Sequence, residues 1–202
     1  MPPKSQEAYD LMKDERREKL LSAALRVLAR RGLAATRIGD IAAEARASHG
    51  LVYYYFQSKE DIFIELVRRA RDISTQSIRQ IDALPLPPLE RIRQMAHLIL
   101  DSITAYDDSA FYFLLMIQAS VSDTIPDEAR KLLADDNTPM EVLVRLISAG
   151  QAAGAIHEGD PIQMALLFWA AIEGVAIYKI QMGNTLQHIQ HEYLMRIFAA
   201  AS

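Results

Sequence analysis

The sequence predicts an all-α protein. Apolar residues recur at helical spacing along almost all of the 202 residues, and no stretch shows the sustained alternation of apolar and polar residues that is typical of a strand. Half of the residues are hydrophobic and 24% are charged, which excludes a disordered chain. The sequence contains no cysteine, which excludes a disulfide framework and is compatible with a reducing compartment.

Three helices are expected near the N-terminus, after a short tail. A stripe of apolar residues predicts a first helix over residues 13–31, which ends at Gly32 because glycine adopts the left-handed conformation after a helix end. Thr36 is expected to cap a second, short helix, and Ser48 is expected to cap a third that ends near Tyr55. The predicted N-terminal domain comprises residues 1–57.

A longer series of helices is expected in residues 58–202, the predicted C-terminal domain. Ser58 and Asp61 predict the start of a long helix over residues 58–84, which a cluster of prolines at residues 85–88 ends. Further helices are predicted over residues 88–105, 109–121, 126–134, 138 to about 150 or 154, 161–183 and 185–200.

The net charge of -4 does not exclude a nucleic-acid partner, because the charge is unevenly distributed. Residues 1–61 carry 11 Lys or Arg against 9 Asp or Glu, whereas residues 62–202 carry 11 against 17. Between Arg30 and Lys59 there are five cations and two anions. The sequence therefore contains one locally basic region.

Two of the short helices have the proportions of a helix-turn-helix. They lie between Thr36 and Phe56, and three residues from Ala45 to Ala47 join them. In a helix-turn-helix the second helix enters the major groove and its first residues face the base edges. On spacing alone, an ordinary helical hairpin in a core is an equal alternative.

The aromatic run Tyr53 to Phe56 favours the DNA-binding interpretation. Successive helical residues point about 100° apart, so four adjacent aromatic side chains cannot all face one core. We therefore expect Tyr53 and Tyr54 to point outward as phosphate donors, while Val52 and Phe56 face inward.

These residues resemble the DNA-binding region of the TetR family of transcriptional repressors. The resemblance covers about 26 positions, in the segments Thr36–Ala42, Ala45–Ser48 and Tyr53–Asp61. It implies an N-terminal three-helix DNA-binding domain, followed by a larger helical domain for ligand binding and dimerisation. The candidate DNA-contacting residues are Thr36, Arg37, Arg46, Ser48, His49, Gly50, Leu51, Tyr53, Tyr54 and Lys59.

The resemblance also implies a role for each group of these residues. Thr36 and Arg37 would bind phosphate at the start of the second helix. The first residues of the third helix, from Ser48 to Leu51, would lie against bases or adjacent phosphates. Lys59 would clamp the DNA backbone together with the two outward tyrosines.

The sequence departs from the family pattern at several positions. Arg46 stands where glycine is common, so it either adopts a strained turn or adds a phosphate contact. Gly39 leaves a usually polar position without a side chain, and Leu51 is placed to touch a thymine methyl. His49 either donates to guanine or phosphate or is a solvated surface histidine.

The C-terminal domain is expected to form a homodimer. Apolar residues cover nearly the whole circumference of the helix between Ile162 and Ile180, more than one core contact can bury. This helix and the last one are expected to pair with their copies in a four-helix interface, although a monomer core is the alternative. The predicted interface residues are Trp169, Ile172, Leu186, Ile189, Tyr193, Leu194, Ile197 and Phe198.

A small apolar or aromatic effector is expected in the same domain. In TetR-like proteins such a ligand alters the spacing of the recognition helices through the long helix and releases repression from a palindromic operator. Most of the candidate pocket residues could equally be core residues. They are Met95, Phe111, Phe113, Met116, Met140, Phe168, Trp169, Glu173 and Tyr178. A carboxylate at Glu173 needs a partner. It could pair with an Arg or Lys of the same chain, bind a cationic ligand or lie at the dimer interface.

The prediction is a ligand-responsive transcriptional regulator, most consistent with a repressor, that binds double-stranded DNA. The sequence shows no phosphate loop, dinucleotide fingerprint or activated nucleophile, so no enzymatic activity and no cofactor are predicted. His188 and His191 could hold a metal, but an exposed pair is the expected reading and no metal is predicted. Polar residues interrupt the most apolar window, so a cytoplasmic protein without membrane contact is expected. The competing hypothesis is an all-helical small-molecule-binding protein or enzyme with an incidental helix-turn-helix.

Overall fold

The computed structural model describes residues 6–105, 108–134, 138–186 and 188–198. Within these ranges the chain is helical and contains no strand, which confirms the predicted fold class. The α-helices are α1 (Gln6–Ala35), α2 (Ile38–Glu44), α3 (His49–Tyr55), α4 (Lys59–Asp82), α5 (Pro88–Ala105), α6 (Ser109–Val121), α7 (Asp127–Leu133), α8 (Pro139–Ala152), α9 (Pro161–Met182) and α10 (His191–Met195). A 3-10 helix, Gly183–Thr185, follows α9 directly.

Local capping explains why several helices begin where the sequence predicts. The Ser58 hydroxyl accepts the Asp61 N–H at 3.0 Å ahead of α4. Thr138 and Glu141 form a reciprocal capping box at the start of α8, with bonds of 3.3 and 2.8 Å. Asp160 accepts the Ile162 N–H at 2.9 Å ahead of α9. The predicted starts of these three helices are confirmed.

The predicted last helix over residues 185–200 is wrong in the residues that the structure describes. Gly183 ends α9 with a positive φ of 58°, and α10 has only five residues. The buried Lys179 donates to the carbonyls of Thr104 and Leu186, at 3.0 and 3.2 Å. The chain that leaves α9 is therefore held against the end of α5, where it cannot continue as one helix.

The chain packs as two compact units that do not follow the predicted boundary at residue 58. Unit 1 comprises Met1–Arg69 and Leu115–Leu132, and unit 2 comprises Ala70–Leu114 and Leu133–Ser202. Both α4 and α6 pass from one unit into the other. The division of function between residues 1–57 and 58–202 stays a prediction.

Unit 1 contains the helix-turn-helix. The α1 helix packs against α2, which packs against α3. Charged side chains join α1 to α4: Arg69 donates to both oxygens of Glu18, at 2.6 and 2.8 Å, and Arg17 pairs with Glu65. Such partly exposed ion pairs stabilise only modestly, so the buried apolar residues of these helices provide most of the packing.

Unit 2 is built around a continuous apolar core. Its helices α5, α8, α9 and α10 pack on one another. Phe168 at the centre is fully buried and its ring lies 6.0 Å from that of Phe198, which is also fully buried. The core holds α10 in place despite its shortness, because Leu194 and Met195 belong to it.

The α9 helix also carries an exposed apolar face. By length and composition it is the one described helix that could cross a membrane, and 28% of its apolar window is buried. Composition alone cannot distinguish a membrane segment from a helix that packs against another protein. The exposed large apolar residues of α9 are Ile162, Leu166, Leu167, Ile177, Tyr178 and Met182.

Candidate nucleic-acid interface

The junction between α1 and α2 is held by hydrogen bonds to backbone carbonyls. Gly32 breaks the helical backbone with a φ of 75°, as the sequence predicts for a glycine at a helix end. The amide of Gln118 donates to the Ala29 carbonyl at 3.1 Å, and the Thr36 hydroxyl donates to the Gly32 carbonyl at 2.7 Å. These two side chains therefore supply hydrogen bonds to the Ala29 and Gly32 carbonyls beside the break in the helix, so neither carbonyl is left unpaired.

Thr36 differs from its predicted roles. Its side chain is 1% exposed and its hydroxyl is used within unit 1, so it presents no group to a phosphate. Arg37, not Thr36, is the N-cap residue of α2, and the predicted cap is therefore wrong. A threonine ahead of a helix can either cap that helix or donate to a preceding carbonyl. The position of the Gly32 carbonyl selects the second role for Thr36.

Lys59 also differs from the predicted phosphate clamp. Its ammonium donates to the carbonyls of Leu33 and Thr36 at 2.8 Å each, and to that of Ala34 at 3.4 Å. An ammonium has three donors, so this set accounts for all of them. Lys59 therefore braces the corner between α1 and α2 from the start of α4, and its ammonium has no donor left for a phosphate.

Arg37 is the exposed cation at the start of α2. Its backbone N–H donates to Asp40 at 2.9 Å, and Arg31 donates to the same carboxylate at 2.7 Å. The hydrogen bond from Arg37 and the interaction with Arg31 lower the pKa of Asp40. The only acidic residue of this first turn is thus neutralised by pairing, while the Arg37 side chain remains exposed for a phosphate.

The turn between α2 and α3 places Arg46 in a left-handed conformation. Its φ is 51°, the only positive value among the described non-glycine residues, which confirms the strained turn. The Ala47 N–H closes the turn by donating to the Ala42 carbonyl at 2.9 Å. Arg46 is exposed, so its side chain is free to make the phosphate contact that the sequence predicts.

One face of α3 packs against the interior of unit 1, and the opposite face is exposed. Ser48 accepts the Leu51 N–H at 3.2 Å as the predicted cap, and His49 and Gly50 are exposed. Val52 and Phe56 are buried, at 0% and 5% exposure. The predicted orientation of α3 is confirmed, and Leu51 is half-buried at its edge.

Tyr53 and Tyr54 lie on the outer surface, as predicted. They are 57% and 62% exposed, although both are large aromatic residues. The ammonium of Lys13 lies 5.8 Å from the centre of the Tyr54 ring. Lys13 was not among the predicted site residues, because no motif marks it, and only the packing of α1 brings its charge to the tyrosines.

Comparisons with known proteins agree with this geometry. The protein-family model described as "Bacterial regulatory proteins, tetR family" matches residues 20–66, which contain α2, α3 and the start of α4. The chain belongs to the TetR family. It is 26% identical to the HTH-type transcriptional repressor KstR2 of Rhodococcus jostii over 185 residues, 90% of this chain and 89% of the relative.

Two solved structures share the fold of this chain. The MbdR regulator from Azoarcus sp. CIB matches with a TM-score of 0.75 and 22% identity, over 90% of this chain and 96% of that one. AibR, solved with isovaleryl coenzyme A and operator DNA, matches with a TM-score of 0.65 and 17% identity, over 90% and 94% of the chains. These structures show the fold, while the family model and the KstR2 relative show a TetR-family transcriptional regulator, so the alternative of an incidental helix-turn-helix is not favoured.

The predicted effector residues of this TetR-family chain fall into three environments. Met95, Phe111 and Phe168 are buried, and Phe113, Met140 and Trp169 pack partly buried against the core of unit 2. Met116 belongs to unit 1, and Tyr178 is 61% exposed, so neither lies in that core. An open groove of about 500 Å³ runs along α4, and no predicted pocket residue is among the described residues that line it.

Two polar groups of α9 that are at least partly buried lack hydrogen-bond partners among the described residues. The indole N–H of Trp169 is buried without a hydrogen bond. Glu173, one turn further along the same side of α9, is half-buried, and burial raises the pKa of its carboxyl. Glu173 can therefore receive a ligand or a second subunit without first breaking a polar contact within the described chain, whereas the Trp169 N–H is reached only if the packing that covers it moves.

Three of the eight predicted dimer residues are buried within the subunit. Ile172 and Phe198 are fully buried and Leu194 is 9% exposed, so these three cannot contact a partner. Leu186, Ile189, Ile197 and Trp169 are half-buried, whereas Tyr193 is 62% exposed. Periodicity could not identify the outer face of α9, because apolar residues surround the helix on all sides.

No group of three or more His, Cys, Asp or Glu side chains among the described residues is placed to hold a metal ion. His188 lies before α10 and is exposed, whereas His191 begins α10 with its ring 5.0 Å from that of His97. Because α10 begins after His188, the two histidines do not share a helix face.

Proposed function

We propose that this TetR-family regulator represses transcription as a homodimer bound to a near-palindromic operator, and that a small apolar or aromatic effector releases it. It acts in the cytoplasm, where its operator is, as a DNA-binding protein rather than an enzyme or a membrane protein. The observation that carries this proposal is the outer surface of α3, where Tyr53 and Tyr54 are exposed beside the capped first turn.

The surface around α3 supports direct contact with duplex DNA. Phenolic hydroxyls on one side and the exposed side chain of Arg37 on the other can reach phosphates, while His49 and Gly50 face the major groove between them. The phosphate contacts fix the register of the helix, and the first residues of α3 read the base edges. Arg46 extends the cationic rim at the turn.

The exposed face of α9 supports dimerisation. Its large apolar residues, among them Leu166 and Ile177, need cover from water. Ala170 is exposed and a Cβ added at Gly174 would meet no atom within 4 Å, so a second helix can approach closely there. Two recognition helices held about 34 Å apart would then reach successive major grooves, which requires a near-palindrome.

The core of unit 2 supports an apolar effector with a small number of polar contacts. Met and aromatic residues such as Met95 and Phe113 adapt their packing to a ligand. Trp169, which packs against this core, and Glu173, one turn further along α9, add one donor and one carboxylate. AibR, a protein of the same fold, was solved with an acyl coenzyme A and operator DNA together, which supports both sites on one chain.

Binding to DNA from the neighbourhood of the chain's own gene tests the proposal. We expect the purified protein to retard duplex fragments from that region at low ionic strength and to protect a near-palindromic stretch from cleavage. Tyr53→Phe together with Tyr54→Phe removes the two hydroxyls and should weaken binding to all sequences, because the lost contacts are to phosphate. A protein that retards none of these fragments would contradict the proposal.

A further inference from the structure

Gly39 of α2 lies directly beneath the side chain of His49 at the start of α3. A Cβ built at Gly39 would lie 3.1 Å from both Cε1 and Nε2 of the His49 ring. Such contacts are tighter than nine in ten real Cβ contacts, so any other residue at position 39 would push the ring away by a few tenths of an ångström or more. The missing side chain therefore leaves the space that the imidazole occupies.

The position of the ring matters because its nitrogens are not used elsewhere in the described part of the chain. His49 is exposed, and its ring makes no hydrogen bond to another described residue. The nearby acid Asp40 is already paired with Arg31 and with the Arg37 N–H, at 2.7 and 2.9 Å. The imidazole is therefore held by contact with the α2 backbone and keeps its donor and acceptor for DNA.

We propose that Gly39 is a specificity-determining residue, which sets the position from which the His49 imidazole contacts a base edge. This inference rests on the proposed operator binding. Hydrogen bonds to a base keep their strength over only a few tenths of an ångström in length and a limited angle, so the displacement caused by a Cβ is large enough to change the contact. Gly39 acts as a positioning residue, and His49 makes the contact.

The departure from the family pattern at Gly39 is then linked to the contact predicted for His49. A polar side chain at position 39 would occupy the place where the His49 ring lies, whereas glycine provides no contact of its own. The chain thus replaces a contact from α2 with a contact from α3 on the same surface. The base preference of the operator at that position should depend on both residues together.

Selection of binding sites from a randomised duplex library tests the proposal on the full-length protein. The variants are Gly39→Ala, Gly39→Gln, His49→Ala and the double variant Gly39→Ala with His49→Ala. Gly39→Ala and His49→Ala should change the preference at the same base pair of each half-site, with discrimination there reduced about fivefold or more. Gly39→Gln should change it further.

The double variant provides the control. Without the imidazole, the added methyl has no ring to displace, so the double variant should select the same sequences as His49→Ala alone. Alanine is the better helix former, so Gly39→Ala should melt no lower than the wild type, which separates the effect from misfolding.

The contradicting outcomes are distinct. An unchanged preference for Gly39→Ala and Gly39→Gln, or an even loss of affinity for all sequences, would overturn the inference and leave operator binding intact. A wild-type protein that selects no sequence would overturn the proposed function as well.

Discussion

The corner of unit 1 and the core of unit 2 are stabilised by different kinds of contact. At the corner between α1 and α2, Thr36, Lys59 and Gln118 each donate to backbone carbonyls near Gly32. In unit 2, Phe168 and its neighbours form a continuous apolar core. The difference shows that a small recognition motif requires fixed directions, which hydrogen bonds provide, whereas a larger domain requires buried apolar area.

The two regions should also respond differently to change. Apolar cores accept altered shapes when volume is kept, whereas a hydrogen-bonded corner has one geometry. The effector proposed for unit 2 would therefore be accommodated by repacking of its core, whereas the motif in unit 1 would keep its shape. Substitutions in each region, ordered below from the largest expected effect to the smallest, test this distinction.

Removal of a central aromatic side chain should have the largest effect. Phe168→Ala leaves a cavity in the core of unit 2 and should lower the free energy of unfolding by about 3–5 kcal/mol. Chemical denaturation followed by far-UV circular dichroism measures this change. Phe168→Leu is the matched control and should lose much less. Equal stability of Phe168→Ala and wild type would show that unit 2 does not depend on this packing.

A charge on the exposed face of α9 should separate the subunits without unfolding them. Leu166 is 59% exposed, so Leu166→Glu should yield a folded monomer by sedimentation and weaken operator binding by about a hundredfold or more, because two linked half-sites become one. Leu98, 54% exposed on α5, is the control: Leu98→Glu should remain dimeric. A Leu166→Glu protein that sediments as a dimer would place the interface elsewhere.

The same comparison explains what the sequence could predict. Prolines and capping residues such as Asp160 and Thr138 act within one turn, so helix starts followed from local patterns. The exposed tyrosines followed from helical geometry alone. By contrast, Ile172 and Leu166 are both apolar residues on a helix that is apolar on all sides, and only tertiary packing buries one and exposes the other.

The role of Lys59 was beyond sequence reasoning for a related reason. A lysine at the start of a helix beside a DNA-binding motif can extend toward phosphate or fold back onto carbonyls, and both choices satisfy its local sequence. The positions of Leu33 and Thr36, more than twenty residues earlier, decide it. The contact between Gly39 and His49 is likewise a tertiary fact, although the unusual glycine was visible as a departure from the pattern.

Substitutions of Lys59 and Arg37 should distinguish a residue that braces the corner from one that binds phosphate. Lys59→Ala leaves carbonyls of the corner without their donor and should cost about 1–3 kcal/mol of stability, while the salt dependence of DNA binding keeps its slope. Arg37→Ala should change stability by less than about 0.5 kcal/mol but reduce the salt slope by about one per subunit. Thermal melts and binding titrations across salt concentrations measure both. If Lys59→Ala instead reduces the salt slope of DNA binding, the phosphate contact that the sequence predicts for Lys59 would be supported.

The smallest effect is expected at His157, a partly exposed polar contact of unit 2. Its Nδ1 lies 2.7 Å from the Glu158 carbonyl and its Nε2 lies 2.9 Å from the Ile197 carbonyl. Both partners only accept hydrogen bonds, and only the protonated ring donates from both nitrogens. The hydrogen bonds to Glu158 and Ile197 raise the pKa of His157.

The sign of the pH dependence follows from this raised pKa. The stabilisation is fully present below the unfolded pKa of about 6.5 and is lost as pH rises through the higher folded value. Wild type should therefore melt above His157→Gln near pH 5.5, and the difference should shrink toward pH 8.5, at roughly the scale of one exposed hydrogen bond. A difference that grows with pH would mean that the neutral ring, donating from one nitrogen only, is the form that holds the C-terminal turn at Ile197.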